Sequence, residues 1–290
     1  HDLLSRNASE NGKRKFKEAH DLRIKYKSEG NKKAQAPLKI VLNSAYGITG
    51  YIYSDAYDLK RCREICINGQ LMLIDLIDKL EIVKSFKLIQ SNTDGLIIQI
   101  PDTDEAFDKI DDICYEWEHR TGMGLGFDTI KEIYQKDVNN YVFTFESGKY
   151  ERKGAYVKEL NPIDNDLPIV NEALVNYMTK HIAVEETVKN CNDLLKFQKI
   201  VRIQGNYLCG WHNNKKLVDK TFRVFASKSN SDSYIGKQKS AGATIEKFAN
   251  TPERCFIDNS DVKDKKVPDK LDRSWYINLA KKRLQDYGVM

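Results

Sequence analysis

The sequence lacks any apolar run of about eighteen residues, the shortest stretch expected to span a bilayer as a helix. It also lacks the apolar segment of a secretory signal, because its first residues are charged and polar. The chain starts at His1 instead of a methionine, which suggests a fragment or a processed protein. With 290 residues and 41% apolar content it can bury a substantial core in one or two domains. We expect a cytoplasmic protein.

Cysteine is present, but without the spacing of a disulfide framework or of a zinc site. The six cysteines are scattered through the chain, so we expect reduced thiols in a cytosolic compartment. Cys209 and His212 have a C-x-x-H spacing, but no second pair accompanies them, so a zinc site is not expected.

The net charge of +5 is modest, and the excess of positive charge is confined to one part of the chain. Residues 1–39 contain eleven Lys and Arg against five Asp and Glu, whereas the remaining residues contain 36 against 37. A charge run is often only a solvated face. Clustered cations beside a phosphate-binding segment, however, favour a polyanionic partner.

Internal repeats and long low-complexity linkers are absent, so the pattern of apolar residues carries the prediction of the fold. Helical spacing is found at residues 12–27, from about Pro37, and at residues 55–80, 103–121, 170–192 and 276–287. Strand patterns are found at residues 86–91, 96–100, 141–145, 150–157 and 222–227. The first two helices predict an antiparallel helical hairpin, and the Asp-Gly step between the first two strands predicts a β-hairpin. The sequence therefore predicts an α+β fold, with a boundary near residue 160.

The most informative segment runs from Lys39 to Gly47 and follows Pro37, a residue common in the first turn of a helix. Lys39, Asn43 and Gly47 fall at positions i, i+4 and i+8, so they share one helix face. A lysine, an amide and a glycine in line form a cationic stripe with a flat patch that bears no side chain. A nucleoside triphosphate needs positive charge for its phosphates and an open surface for its base.

This segment resembles the K-x-x-x-N-S-x-Y-G motif of the fingers helix in family B DNA polymerases, with Ser44 and Tyr46 at the remaining defining positions. The turn Asn92-Thr93-Asp94-Gly95 resembles the family's metal-binding D-T-D-S motif. Nucleotidyl transfer uses two metal ions, which carboxylates must hold at a rigid, exposed point. The second aspartate of the motif is kept as Asp94. The first is replaced by Asn92, which offers only a neutral oxygen.

Further segments resemble the family in the same order along the chain. Arg23 and Lys27 are similar to an R-x-x-x-K pair that contacts the triphosphate, and Lys27 precedes Lys39 by twelve residues, as in protein-primed phage polymerases. Tyr141 stands in the place of the K-x-Y element near the primer terminus, with Asn139 where the lysine would be. The pair Lys153-Gly154 resembles the K-G step that follows, where a lysine can meet a DNA phosphate. The segment 271–283 resembles the closing helix of the thumb.

The resemblance implies a right-hand polymerase fragment for DNA replication. Residues 1–50 would form helical fingers, residues 51–160 a palm with an antiparallel sheet and helices, and residues 161–290 a mixed α/β thumb. It implies primer-template DNA and dNTP as partners and Mg²⁺ as cofactor, in the cytoplasm of a bacterial host if the protein is phage-encoded. The implied catalytic residues are Asp94 and Lys39, and the implied nucleotide-binding residues are Arg23, Lys27, Lys39, Asn43, Tyr46 and Gly47. Asp94 would bind metal, with weaker contributions from Asn92 and the backbone of Thr93, and Tyr141, Lys153 and Gly154 would contact DNA.

One expected element is missing from the sequence. The family's other essential carboxylate lies in a D-x-x-S-L-Y-P-S motif upstream of the fingers, and neither this motif nor an exonuclease carboxylate set occurs in the 290 residues. We therefore expect a partner segment or subunit that carries the other aspartate, and an incomplete active site in this chain.

Two other functions are compatible with parts of the pattern. The first is a nucleic-acid-binding module derived from a polymerase, in which Asn92 marks lost metal binding. Retention of Lys39, Asn43, Tyr46 and Asp94 together argues against it. The second, an RNA polymerase or a reverse transcriptase, has no support, because the sugar-selecting residue would lie in the missing segment. The ratio of 35 Lys to 12 Arg is typical of AT-rich genomes and agrees with a phage or mobile-element origin.

Overall fold

The computed structural model describes residues 4–93, 95–161, 165–263 and 265–289. These residues form an α+β fold of seven α-helices, one short 3₁₀ helix and antiparallel β-sheets. The chain divides into two compact units, His1–Gly126 and Phe127–Met290. The three-part division at residues 50 and 160 stays a prediction. No helix among the described residues is long and apolar enough to cross a membrane.

The first unit begins with the predicted helical hairpin, formed by α1 (Glu10–Ser28) and α2 (Lys32–Thr49). Ser9 caps α1, and the Asn31 side chain accepts a hydrogen bond from the backbone N–H of Ala34 at the start of α2. Because Asn31 supplies this cap, α2 begins five residues before Pro37, and the prediction that the helix starts at the proline is wrong.

In the rest of the first unit, the predicted β-hairpin packs against two helices that contact each other. These elements are α3 (Leu59–Leu80), β1 (Lys87–Ser91), β2 (Leu96–Gln99) and α4 (Asp104–Thr121). Side chains of α3 and α4, among them Leu76, Ile110 and Trp117, form a buried cluster against which Ile98 of β2 packs. The α3 helix starts at Leu59, later than predicted, because the buried carboxylate of Asp58 caps it and also binds Arg6. The packing of Leu96 and Ile98 on the buried cluster places β2 against α3 and α4.

The second unit begins with a three-stranded sheet in the order β3-β4-β5, formed by Ile130–Asp137, Asn140–Phe145 and Tyr150–Lys153. The hairpin of β4 and β5 is confirmed, although β5 ends earlier than predicted. The strand β3 was not expected from the sequence. The helices α5 (Pro168–Lys180) and α6 (Val184–Asn190) replace one predicted helical run, which is interrupted where His181 adopts a left-handed backbone with φ of 55°.

The remainder of the second unit contains two more antiparallel sheets. Its strands are β6 (Lys199–Arg202), β7 (Cys209–His212), β8 (Lys215–Leu217), β9 (Thr221–Ala226), β10 (Gly236–Gln238), β11 (Glu246–Lys247) and β12 (Cys255–Ile257). The sheet orders are β12-β9-β6 and β11-β10-β7-β8. Only β9 was predicted from the sequence. The last helix, α7 (Arg273–Gln285), is confirmed, and its buried Tyr276 donates a hydrogen bond of 2.7 Å to the carbonyl of Phe197.

The glycine after β5 is required by the backbone. Gly154 has a φ of 113°, and a Cβ built there would lie 3.0 Å from the Cα of Asn140 and closer still to its side chain. Gly148, in the turn between β4 and β5, has a φ of 75° but no atom within 4 Å of such a Cβ.

We therefore expect Gly154→Ala to lower the free energy of unfolding by about 2–4 kcal/mol, since it adds a clash to a strained backbone. The matched variant Gly148→Ala carries only the strain of the left-handed region, about 1–2 kcal/mol. Urea unfolding followed by circular dichroism compares the two. Equal losses would contradict the clash with Asn140.

Candidate functional site

The α2 helix exposes the stripe that its sequence predicts. Lys39, Asn43 and Gly47 are exposed, whereas Leu42 and Ala45 are buried on the other side of the helix. A Cβ added at Gly47 would meet no atom within 4 Å, so the glycine leaves an open surface beside Tyr46. The stripe therefore offers a positive charge, an amide and a bare backbone patch to solvent.

The predicted phosphate-binding cations Lys27 and Lys39 are not neutralised by any carboxylate that the structure describes. Among the described residues, neither Lys27 nor Lys39 forms an ion pair, and both are exposed. Arg23 of α1 is half-buried, and its Nε has no hydrogen-bond partner in the described part of the chain. An anion that bound here would not have to displace an internal carboxylate.

At the tip of the β1–β2 hairpin, Asn92 takes part in two hydrogen bonds with neighbouring residues. The backbone N–H of Asn92 donates to the carbonyl of Gly95 at 2.9 Å, and the Asn92 side-chain oxygen accepts from the N–H of Thr93 at 2.8 Å. Asp94 itself lies outside the described residues. The expected position of the motif at a tight turn is thus confirmed, and the role of Asp94 stays a prediction.

The described residues at this tip do not by themselves fit a Mg²⁺ ion. Asn92 and Thr93 offer only neutral oxygens, and that of Asn92 is already hydrogen-bonded to Thr93. No group of three or more His, Cys, Asp or Glu side chains suited to a metal occurs among the residues that the structure describes. A magnesium site would therefore depend on Asp94 and on a carboxylate from elsewhere.

A groove of about 790 Å³ in the first unit brings two of the predicted motifs together. Tyr46 of α2 lines it, as do Ser91, Asn92 and Thr93 at the hairpin tip. The wall consists mainly of α3 side chains from Arg61 to Ile77 and is completed by Met123. Arg23, Lys27, Lys39, Asn43 and Gly47 do not line this groove. The structure thus joins the end of the fingers motif to the hairpin tip, and leaves the cations on the helices outside the groove.

The side chain of Tyr46 is held at the groove by thiols of α3. Its hydroxyl lies 2.9 Å from the Sγ of Cys66, which also lines the groove. Hydrogen bonding to Cys66, and then to Cys62, raises the pKa of the Tyr46 phenol well above its ordinary value. Sequence reasoning missed this contact, although the C-x-x-x-C spacing on a predicted helix places both thiols on one face.

The predicted DNA-binding residues belong to the second unit. Tyr141 of β4 and Lys153 of β5 are direct cross-strand partners, so their side chains project from the same face of the sheet. Lys153 is exposed, but Tyr141 is buried, and its hydroxyl donates to Glu151 at 3.1 Å. Lys153 is therefore available to a phosphate, whereas the Tyr141 hydroxyl is already bonded within the sheet.

The C-x-x-H spacing of Cys209 and His212 does not form a metal site. Both residues lie on β7, where positions three apart point to opposite faces. Cys209 is buried near Gln238, and His212 is hydrogen-bonded to the carbonyl of Cys255 at 2.7 Å. All six cysteines are free, as the sequence predicts.

The candidate site therefore consists of the groove in the first unit and the cationic stripe on its helical hairpin. The sequence pattern singles out the stripe and, in the groove, Tyr46, Asn92 and Thr93, whereas the α3 residues that form most of the groove wall were not predicted. Comparison of the chain with protein-family models and with curated proteins gives no match.

Proposed function

We propose that this chain is the C-terminal part of a family B DNA polymerase, comprising fingers, most of the palm, and thumb. The observation that carries the proposal is the shared groove of Tyr46 and the hairpin tip at Asn92 and Thr93. These residues come from two motifs that are separated in the chain by the whole of α3. A polymerase needs the base of the incoming nucleotide and the reacting phosphate close together, and a chance resemblance gives no reason for the two motifs to meet.

The exposed cations have the chemistry of a triphosphate site. In this proposal Arg23, Lys27 and Lys39 bind the phosphates of a dNTP, since ammonium and guanidinium groups form charge-assisted hydrogen bonds with phosphate oxygens. Asn43 does not line the groove, and the resemblance assigns it to the part of the nucleotide site on the exposed face of α2. Tyr46 provides an aromatic face for the nascent base pair, and Gly47 allows the base to approach the backbone.

The remaining roles follow from the resemblance. Asp94 provides the metal-binding carboxylate, and a second carboxylate comes from an upstream segment or subunit. Lys153 contacts a phosphate of the primer-template. Because the hydroxyl of Tyr141 is bonded to Glu151, we assign Tyr141 to the support of this surface.

The experiment that tests the proposal is primer extension with and without the upstream segment. We expect the 290-residue chain alone to be inactive with Mg²⁺ and dNTP, because one aspartate does not hold two ions about 3.5–4 Å apart. Adding the upstream coding segment, in cis or in trans, should restore extension. Extension by the chain alone would refute the prediction that its active site is incomplete. Binding of DNA without extension in either form would favour a non-catalytic nucleic-acid-binding module.

Substitution of Gly47 by alanine distinguishes a role of this residue in nucleotide binding from a role in the stability of α2. Within α2 it has a helical backbone and open space around a Cβ, so Gly47→Ala should stabilise the helix by up to about 1 kcal/mol. In the proposed site the added methyl group meets the base or sugar instead, and we expect the KM for dNTP to rise about tenfold. Thermal unfolding of the variant chain, and steady-state kinetics of the same variant supplied with the upstream segment, measure the two effects. A variant that is more stable and equally active would show that the patch is not used by the nucleotide.

A further inference from the structure

Two elements of the first unit meet through thiols at the end of α2. Cys62 and Cys66 lie one turn apart on α3 and therefore share a face. Gly50, which follows α2, lies against Cys62, since a Cβ there would come 3.2 Å from its Sγ. One turn back along α2, the Tyr46 hydroxyl lies 2.9 Å from the Sγ of Cys66.

The contact with Cys66 restrains an otherwise open side chain. Tyr46 is 38% exposed, and the next residue, Gly47, has no side chain to pack beside it. In the described part of the chain, its hydroxyl is hydrogen-bonded to the Sγ of Cys66. With the ring attached to α2 at one end and hydrogen-bonded to α3 at the other, its orientation in the groove is set by both helices.

We propose that Cys66 is a positioning residue that holds the Tyr46 ring in the orientation required by an incoming nucleotide. This inference rests on the proposed function, because it assigns Tyr46 to the nucleotide site. A ring that is already oriented loses less conformational freedom when a base packs on it. Removing the thiol should therefore weaken nucleotide binding by freeing the ring. Because Cys66 also lines the groove, the Tyr46→Phe background distinguishes this effect from the loss of a direct contact.

The contact itself is tested without reference to activity. We would label the tyrosines of the 290-residue chain with 3-fluorotyrosine and identify the ¹⁹F resonance of Tyr46 by its loss in Tyr46→Phe. Cys66→Ala should shift this resonance, whereas the matched control Cys191→Ala, a half-buried thiol of the second unit, should not. Alanine suits the exposed helical position of Cys66, so the variant should fold. A resonance that stays in place in Cys66→Ala overturns the proposal.

The role is tested by calorimetric titration of the same chain with Mg-dATP. We expect the Kd to rise about three- to tenfold in Cys66→Ala and to be unchanged in Cys191→Ala, as for the loss of one hydrogen bond. In a Tyr46→Phe background, Cys66→Ala should have no further effect, since the thiol no longer has a hydroxyl to hold. If Cys66→Ala raises the Kd by the same factor in the Tyr46→Phe background, or raises it in neither background, the positioning role of Cys66 is overturned.

The titrations of the wild-type chain and of Cys66→Ala with Mg-dATP also distinguish a failure of this inference from a failure of the proposed function. A wild-type chain that does not bind Mg-dATP refutes the nucleotide site, and with it the role of Cys66. The ¹⁹F shift then still shows whether the thiol and the phenol meet. If instead the wild-type chain binds Mg-dATP and Cys66→Ala binds it equally well, the nucleotide site stands and the positioning role fails.

Discussion

In the proposed polymerase, Asp94→Asn should abolish primer extension by the chain when the proposed upstream segment is supplied. Asp94 is the only carboxylate in the turn from Ser91 to Gly95, and Asn92 there is already neutral. The substitution would leave the hairpin tip with amide and hydroxyl oxygens alone, which bind a divalent cation far more weakly than a carboxylate does. We expect kcat to fall on the order of a thousandfold or more.

The same substitution should change the affinity for primer-template DNA by less than about twofold, because it removes a metal ligand and no contact with the DNA backbone. The matched variant Asn92→Asp restores the carboxylate pair of the family motif and should be equally or slightly more active. Single-turnover extension and DNA-binding titrations of both variants provide the comparison. If Asp94→Asn keeps most of its rate, the assignment of the hairpin is wrong and the binding-module interpretation gains support.

The elements that the sequence predicts well are those with strong local signals. The β1–β2 hairpin has an Asp-Gly step between apolar runs, and α4 has Thr103 as a capping residue followed by a regular apolar face. The start of α2 was misplaced because Pro37 is a common first-turn residue, whereas the cap is made by Asn31. Local sequence patterns predict that an element is present more reliably than they predict the residue at which it begins.

Most strands of the second unit, other than β4, β5 and β9, were missed for a different reason. Most of β6 to β12 have only two to four residues, which is too short for an alternating pattern to stand out. Several of them are defined by pairing with distant strands, as β6 pairs with β9, β7 with β10 and β9 with β12. The predicted β5, by contrast, has a turn and a neighbouring strand close in sequence.

The candidate site likewise has one part that local sequence patterns predict and one part that depends on long-range packing. The stripe of Lys39, Asn43 and Gly47 follows from helix geometry alone, and its exposure agrees with that prediction. The contact between Tyr46 and Cys66 depends on how α2 meets α3, which no local pattern specifies. Such long-range packing is the part of the site that required the structure.

Lys39→Ala should impair the use of dNTP and leave DNA binding unchanged. Lys39 is exposed and forms no ion pair with any described residue, so its removal should not disturb the fold. Loss of one charge-assisted contact with a phosphate costs about 1.5–3 kcal/mol in a partly closed site. This corresponds to a decrease in kcat/KM for dNTP of roughly ten- to a hundredfold.

Lys153→Ala is the matched control, because it also removes one exposed lysine but from the strand β5. It should weaken DNA binding almost independently of sequence and reduce the salt dependence of the affinity by about one counterion. Steady-state dNTP kinetics in the presence of the upstream segment and a salt series of DNA affinities, measured for both variants, test the two assignments together. If Lys39→Ala lowers DNA affinity while the dNTP parameters stay unchanged, α2 is not a nucleotide-binding fingers helix. The resemblance to family B polymerases then loses its main support, since every other motif takes its meaning from its distance to this helix.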